Sequence, residues 1–302
     1  MPLVSVVVSC YNQKSYIVEC LDSILSQQVD FDFELIISDD CSSDGTQDIL
    51  RGYKNINDSR VQLILKTKNA GAASNYHDLH RRATGEYIFH FDGDDVMLPG
   101  KLQAQVDIFV KFPHVNIVMH KADYFSDDGK YYSKTKFPEG NSNRDVIFDV
   151  NQLARWGTIA VHSSYAYRRS SRKAVIQREF MEWFFAMDSL VRGGTGVFIN
   201  KAYVKYRCNP KGSSYLSSQG GKIKAYNLYL SDLYEYFDNY ENLRTDLYAN
   251  FLVTLLAMLK SVHTFPVGGF YFLLTKFHCF RPKKFFEALK VRMQVGPEEA
   301  VR

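Results

Sequence analysis

The chain lacks the features that would place it in several common classes. Its five cysteines, at 10, 20, 41, 208 and 279, are odd in number and never spaced C-x-x-C. They read as reduced thiols of a cytosolic protein, with neither a disulfide framework nor a zinc-finger pattern. Nowhere do 18 uncharged apolar residues follow one another. The nearest approach, Phe265 to Phe280, is broken by Pro266, Gly268, Gly269 and Lys276, so no membrane-spanning helix is expected. The first residues carry no basic stretch ahead of an apolar one, which argues against a secretory signal. There is no acidic tail, internal repeat or low-complexity run, and a net charge of only +4 gives no global case for nucleic-acid binding. The G-x-x-x-x-G-K, H-E-x-x-H and G-x-S-x-G signatures are absent. Gly193-Gly194-Thr195-Gly196 follows a helical pattern, so it is not a dinucleotide fingerprint.

What is present is globular: 46% apolar and 15% aromatic in 302 residues, enough for one large domain or two ordinary ones. The charge is uneven. Lys260, Lys276, Arg281, Lys283, Lys284, Lys290 and Arg292 face only Glu287 between residues 260 and 292, a local +6 that leaves −2 elsewhere.

The first 120 residues alternate strand and helix patterns. Strands are expected over Val4–Ser9, Phe33–Ser38, Val61–Leu65, Glu86–Phe91 and Val115–Met119. Tyr16, Ile17, Cys20, Leu21, Ile24 and Leu25 mark one face of a helix, and shorter patterns predict helices near Ile49–Tyr53, from about Ala72 to Ala83, and around Leu102–Phe109. Such units demand an α/β fold with a mostly parallel sheet and helices on both faces. Ligands in these sheets sit outside the carboxyl ends of the strands, which puts Ser9–Asn12, Asp39–Asp44 and Asp92–Asp95 along one rim. Asp123 to Asn143 reads as a polar loop or linker, and Lys222–Tyr240 and Asn242–His263 read as helices.

The strongest chemical signal is Phe89-His90-Phe91-Asp92-Gly93-Asp94-Asp95. Three carboxylates ending a buried strand are costly unless a cation or hydrogen bonds compensate, and Mg²⁺ or Mn²⁺ prefers carboxylates together with phosphate oxygens. Gly93 would let the backbone bend closely around a ligand. The alternative is an acidic turn capping the next helix. In Ser38-Asp39-Asp40-Cys41-Ser42-Ser43-Asp44-Gly45-Thr46, Asp40 could accept from a ribose or base, while Asp44 and Thr46 suit an Asx-turn with Thr46 as helix N-cap. Tyr11 offers a face for base stacking, or it is core. His77 and His80, three apart on a helix, lack a third ligand and are expected on a solvated face.

Four segments in register resemble glycosyltransferase family 2: Val4–Asn12, Ile37–Thr46, Asn69–Asn75 and Gly85–Asp95. The likeness is close over residues 3–100 and looser to about 216. It implies a GT-A, Rossmann-like domain over 1–216, with a nucleotide-sugar-binding half (1–120) and an acceptor half (121–216), followed by a helical extension over 217–302. It further implies an inverting transfer from a nucleotide-diphosphate sugar, UDP favoured, with Mn²⁺ or Mg²⁺. Carried over by position, Tyr11 and Asp40 would face the uracil, Asp92 the ribose, Asp94 the metal and Asp95 the donor sugar. Ser9 and Asn69 would line the same site. Inversion needs a base on the far face of the sugar. Glu182, in Glu182-Trp183-Phe184-Phe185, matches the family's acid–Trp helix, with Asp188 as rival. On one continuous helix the two acids stand about 120° apart, so only one can face the cleft. The chain departs from the family twice: Glu182 replaces the commoner Asp, and Asn209 stands near where a His is frequent. Tyr206-Arg207 and Ser213-Ser214 match the segment that follows.

Phe265, Phe270, Tyr271, Phe272, Leu273, Leu274, Phe277 and Phe280 lie beside the +6 charge and suit an interfacial element on anionic lipid. A C-terminal helical layer packed on the domain is the other reading. The first, with the family's habits, makes the expected acceptor a saccharide on a polyprenyl diphosphate in bacterial surface polysaccharide assembly, met by a cytoplasmic protein peripheral to the inner face of the plasma membrane. Two other functions are weighed. A haloacid-dehalogenase-like phosphatase would use Asp92 as nucleophile, and a non-catalytic nucleotide-sugar-binding module would use the same loops without a base.

Overall fold

The computed structural model describes residues 2–128, 132–137, 144–208, 218–264 and 266–295. The residues named above at 143, 209, 213, 214 and 265 lie outside this set. Strands β1 (Val4–Cys10), β2 (Phe33–Asp39), β3 (Val61–Leu65) and β4 (Tyr87–Asp92) are linked by helices α1 (Ile17–Leu25), α2 (Thr46–Arg51) and α3 (Ala72–Arg82). Then come β5 (Val96–Met97), α4 (Lys101–Lys111), β6 (Val115–Phe125), β7 (Tyr132–Lys134), β8 (Val146–Phe148), α5 (Val150–Trp156), β9 (Ala166–Arg168), α6 (Glu182–Asp188) and β10 (Thr195–Arg207). Helices α7 (Gln219–Asn239), α8 (Arg244–Val262), α9 (Val267–Thr275) and α10 (Pro282–Gln294) complete the described chain.

One sheet runs in the order β3-β2-β1-β4-β9-β6-β10-β5, with β7 added to β6 and β8 to β10. The pairs β3–β2, β2–β1, β1–β4 and β6–β10 are parallel, while β9 and β5 run antiparallel to their neighbours. Alternation along each strand divides the core between the two faces. Val7, Ile36 and Ile88 look toward α3, α5 and the C-terminal helices, whereas Val6, Val8, Ile37, Phe89 and Phe91 look toward α1 and α4.

Helices α7 and α8 pack into the core of the sheet. Tyr229, Leu233 and Phe237 of α7 and Leu247, Phe251 and Leu255 of α8 belong to the same core as Val7, Ile88 and Ile117 of the sheet. Polar ties reinforce it: buried Asp246 of α8 takes Arg155 of α5 and Lys284 of α10, each at 2.6 Å. Asn250 donates to the Ala154 carbonyl at 2.7 Å.

Two local expectations need correction. The polar stretch from Asp123 is not all loop, because β6 runs on to Phe125 and pairs with β7. Buried Ala122 and Tyr124 supply the strand's inward side chains between polar residues. Thr46 is the first residue of α2 rather than its N-cap; Gly45 (φ 95°) precedes it, and Asp44 accepts from the Thr46 N–H at 2.9 Å.

Candidate active site

Parallel pairing sets Ser9 beside both Ser38 and Asp92, so the loops leaving β1, β2 and β4 meet at one rim. The first two are zipped together. Asn12 donates its N–H to Ser42 Oγ at 2.8 Å, and its Oδ1 accepts from Ser43 N–H at 2.9 Å. Gln13 N–H reaches Thr46 Oγ1 at 2.9 Å and Lys14 N–H reaches Asp44 Oδ2 at 3.0 Å, which makes Asp44 and Thr46 structural. Asn12 (φ 54°) and Cys41 (φ 63°) both adopt the left-handed region that non-glycine residues rarely enter. Such strain collects at functional rims.

The expected nucleotide residues differ in surroundings. Tyr11 is exposed and Ser9 half-buried. Asp40 is buried and accepts from the Ala70 and Gly71 N–H groups at 3.1 and 2.8 Å, with Lys66 Nζ at 3.5 Å. Asn69 is exposed and accepts from the Gly71 N–H at 3.0 Å. Asp40 thus fastens the β3–α3 loop to the rim.

The acid loop is a tight turn in which the Asp95 N–H bonds the Asp92 carbonyl at 3.1 Å. Asp92 and Asp94 are half-buried. Asp95 is interior: its Oδ1 accepts the Arg207 N–H at 2.9 Å. Its carboxylate is almost wholly buried. Gly93 is also needed for packing inside the protein. A Cβ there would come within 2.3 Å of Gln13 Oε1 and 3.2 Å of the Ser9 carbonyl, so the residue lets the acid loop lie on the β1–α1 loop. Arg207 of β10 braces the loop from behind, donating Nε–H to the Asp94 carbonyl at 2.7 Å and Nη2–H to Glu19 at 2.7 Å.

Crowded carboxylates resist ionisation. Burial, then Asp92, pushes Asp94 up to about 6, and burial with Asp94 and Asp92 raises Asp95 well above the usual range. A hard divalent ion on Asp94 and Asp92 would relieve that repulsion with its preferred oxygen donors, so these residues fit one.

The two candidate bases separate clearly. Asp188 is buried and committed, accepting from the Lys173 and Ala174 N–H groups at 2.7 and 3.0 Å and from Arg192 at 2.7 Å. Glu182 stands in the first turn of α6, with 39% of its side chain open and Oε1 3.9 Å from His162 Nδ1. The surrounding protein, with Asp92 adding repulsion, lifts its carboxyl to about 7. Its openness tempers the energy of that shift and leaves its direction intact.

Several residues here escaped the sequence reading. Instead of lying on a solvated face, His80 stacks on Tyr76 with centroids 3.8 Å apart, bonds Tyr167 Oη through Nδ1 and meets His90 Nδ1 through Nε2 at 3.1 Å. His90 Nε2 stands 3.3 Å from Asp92 Oδ1, and the His162 ring stacks on His90 at 3.8 Å. His77 is half-buried as well. Two-residue periodicity places His90 and Asp92 on one strand face and could have paired them. Nothing periodic announces His162, which sits in a 3₁₀ turn (His162–Ser164).

A parallel-centred α/β sheet with an acid loop ending its fourth strand is the architecture of GT-A glycosyltransferases. The fold comparison agrees. Staphylococcus aureus TarS 1–349 superposes with a TM-score of 0.57 at 18% identity, over 97% of this chain and 83% of that one. Mannosyltransferase PcManGT from Pyrobaculum calidifontis, solved with GDP-Man and Mn²⁺, gives 0.57 at 18%, over 97% and 85%. The profile of Glycosyl transferase family 2 matches residues 5–176, and the chain belongs to that family. An uncharacterized Mycobacterium tuberculosis protein, Rv1520, is 31% identical over 69% of this chain and 59% of its own length. The chain thus spans about three-fifths of that relative. Bacillus subtilis TuaG, named for teichuronic acid biosynthesis, is 39% identical over 36% of this chain and 43% of its own.

Proposed function

We propose that the protein is an inverting glycosyltransferase that moves a sugar from a nucleoside-diphosphate sugar, UDP first, to a saccharide hydroxyl in surface polysaccharide assembly. The observation that carries this is the pairing of a rim carboxylate cluster, Asp92 and Asp94, with an open acid held near neutrality, Glu182. Tyr11 stacks on the base, Asp40 and Asn69 border it, Ser9 and Asp92 meet the ribose, and Asp94 would hold the metal. A divalent ion there, Mn²⁺ or Mg²⁺, would supply charge neutralisation for the departing diphosphate. Asp95 and Arg207 keep the acid loop in place from the interior. Glu182 accepts the acceptor hydroxyl's proton as the sugar carbon passes through an oxocarbenium-like state, and a carboxyl near 7 suits that task. A structure of TarS holds UDP-GlcNAc and that of PcManGT holds GDP-Man with Mn²⁺, which supports a nucleotide-sugar donor.

The phosphatase reading wants its nucleophile after the first strand, where this chain has Ser9–Asn12. A binding module would have no use for an open acid of raised affinity at Glu182.

No helix among the described residues is long and apolar enough to cross a membrane. The C-terminal helices instead expose Phe270, Tyr271, Leu274 and Phe277, and α10 presents Lys283, Phe286, Lys290 and Met293 at helical spacing. Apolar rings among lysines suit docking on the anionic inner face of the plasma membrane, beside a polyprenyl-diphosphate-linked acceptor.

The test is a panel of UDP-sugars assayed with Glu182→Gln. Loss of turnover with retained UDP affinity supports the assignment, and full turnover by the variant refutes it. Flotation with phosphatidylglycerol vesicles, lost on serine substitution at Phe270, Phe277 and Phe286, checks the membrane face.

A further inference from the structure

We propose that His90, Asp92 and His162 form a transition-metal site in the floor of the cleft, distinct from the position at Asp94 and suited to a borderline ion such as Zn²⁺ or Co²⁺. One ligand atom from each lies within 4.8 Å of the others. Bonds of about 2.0–2.2 Å need a ring rotation: the His90 and His162 rings stack at 3.8 Å with planes 16° apart, so His162 must turn out of that stack before both lone pairs meet one ion. Two imidazoles and one carboxylate favour this class of ion over Mg²⁺, whose preference is for oxygen alone.

The surroundings are those a metal-binding histidine needs. A ligating imidazole uses its second nitrogen to donate to a fixed acceptor. His90 Nδ1 has His80 Nε2 at 3.1 Å, and His80 is held in turn by Tyr167 Oη and by its stack on Tyr76. This directs His90 Nε2 toward Asp92. His162 turns Nδ1 toward Glu182 at 3.9 Å, which leaves Nε2 as its ligand atom. Asp92, with 31% of its side chain exposed, opens the site to the cleft and gives an ion its entry path.

An ion bound there would occupy Asp92 and stand next to Glu182, so Zn²⁺ would oppose the sugar transfer proposed above. That consequence rests on the transfer reading; the binding itself does not.

The experiment titrates Co²⁺ into the full-length reduced protein without nucleotide and follows visible absorption. The expected result is a nitrogen-ligated spectrum saturating at one ion per chain. It should persist in Asp94→Ala and weaken at least about tenfold in affinity in His162→Ala. His80→Phe keeps all three ligands and removes only the outer partner, and it should weaken affinity by about tenfold as well. Thermal melts without metal establish that each variant is folded; should His162→Ala not fold, the wild-type, Asp94→Ala and His80→Phe titrations decide. No visible band in the wild type, a band lost with Asp94, or a band indifferent to both His80 and His162 overturns the proposal.

Discussion

Asp232 of α7 lies far from Glu182 in sequence, yet it fixes the segment that carries it. Its carboxylate is wholly buried and accepts from the Met181 N–H at 2.7 Å and from Arg178 Nη1 at 2.5 Å. Met181 immediately precedes Glu182. Replacing Asp232 by Ala strands the Met181 N–H, which costs about 1–3 kcal/mol. Arg178 is one-third exposed and keeps Glu235 at 2.6 Å, so its share falls below the roughly 3–5 kcal/mol of a fully buried broken pair. Burial pushes Asp232 up to about 6 in spite of these partners, and release of that desolvation offsets part of the loss. The expected net is a destabilisation of about 2–3 kcal/mol, read from urea midpoints at unchanged m value. A second signature follows from linkage. A carboxyl raised in the folded state holds a proton that the unfolded chain has released. Wild-type stability should therefore decline, relative to Asp232→Ala, as pH rises from about 4 through 6, and run parallel above. Loosening the start of α6 should also lower kcat while UDP affinity stays put. Stability within about 0.5 kcal/mol of wild type, with no change in pH slope or kcat, would refute the reasoning.

Three more outcomes are expected. Transfer should rise with pH through about 7 and then level as Glu182 loses its proton, and Glu182→Gln should cut kcat by about 10²–10⁴, measured by product formation across pH. Because Asp94 must be ionised to hold a cation and sits near 6, Mn²⁺ should raise the melting temperature more at pH 7.5 than at pH 5, and the pH-dependent part should vanish in Asp94→Ala. Gly93→Ala should cost about 1–3 kcal/mol and weaken donor binding, because the new methyl meets Gln13 and the Ser9 carbonyl; adding Gln13→Ala should restore part of the stability, read by denaturant melts.

The N-terminal strands were legible because they are β-branched runs with little between them and their helices. β1, β2 and β4 each fall within a residue or two of the expected span, and β3 falls on it. The rim followed from topology alone. Less legible was whatever depends on partners distant in sequence. β6 outruns its apolar stretch because pairing with β7 and β10, rather than periodicity, carries it to Phe125. His80 reads as solvated from its spacing to His77 alone, whereas its stack on Tyr76, one turn earlier, buries it. Arg207 and Asp232 reach the site from 113 and 51 residues away, separations over which no local pattern speaks. The division near residue 216 follows the resemblance, while α7 and α8 pack into the sheet's own core.

The most direct measurement is calorimetric titration of UDP, GDP and TDP into the purified protein, with Mn²⁺ and again with EDTA, alongside Asp94→Ala. The account predicts that UDP binds, and that affinity falls sharply both on removing the metal and on removing Asp94. Absence of nucleotide-diphosphate binding, or binding indifferent to both metal and Asp94, would contradict it.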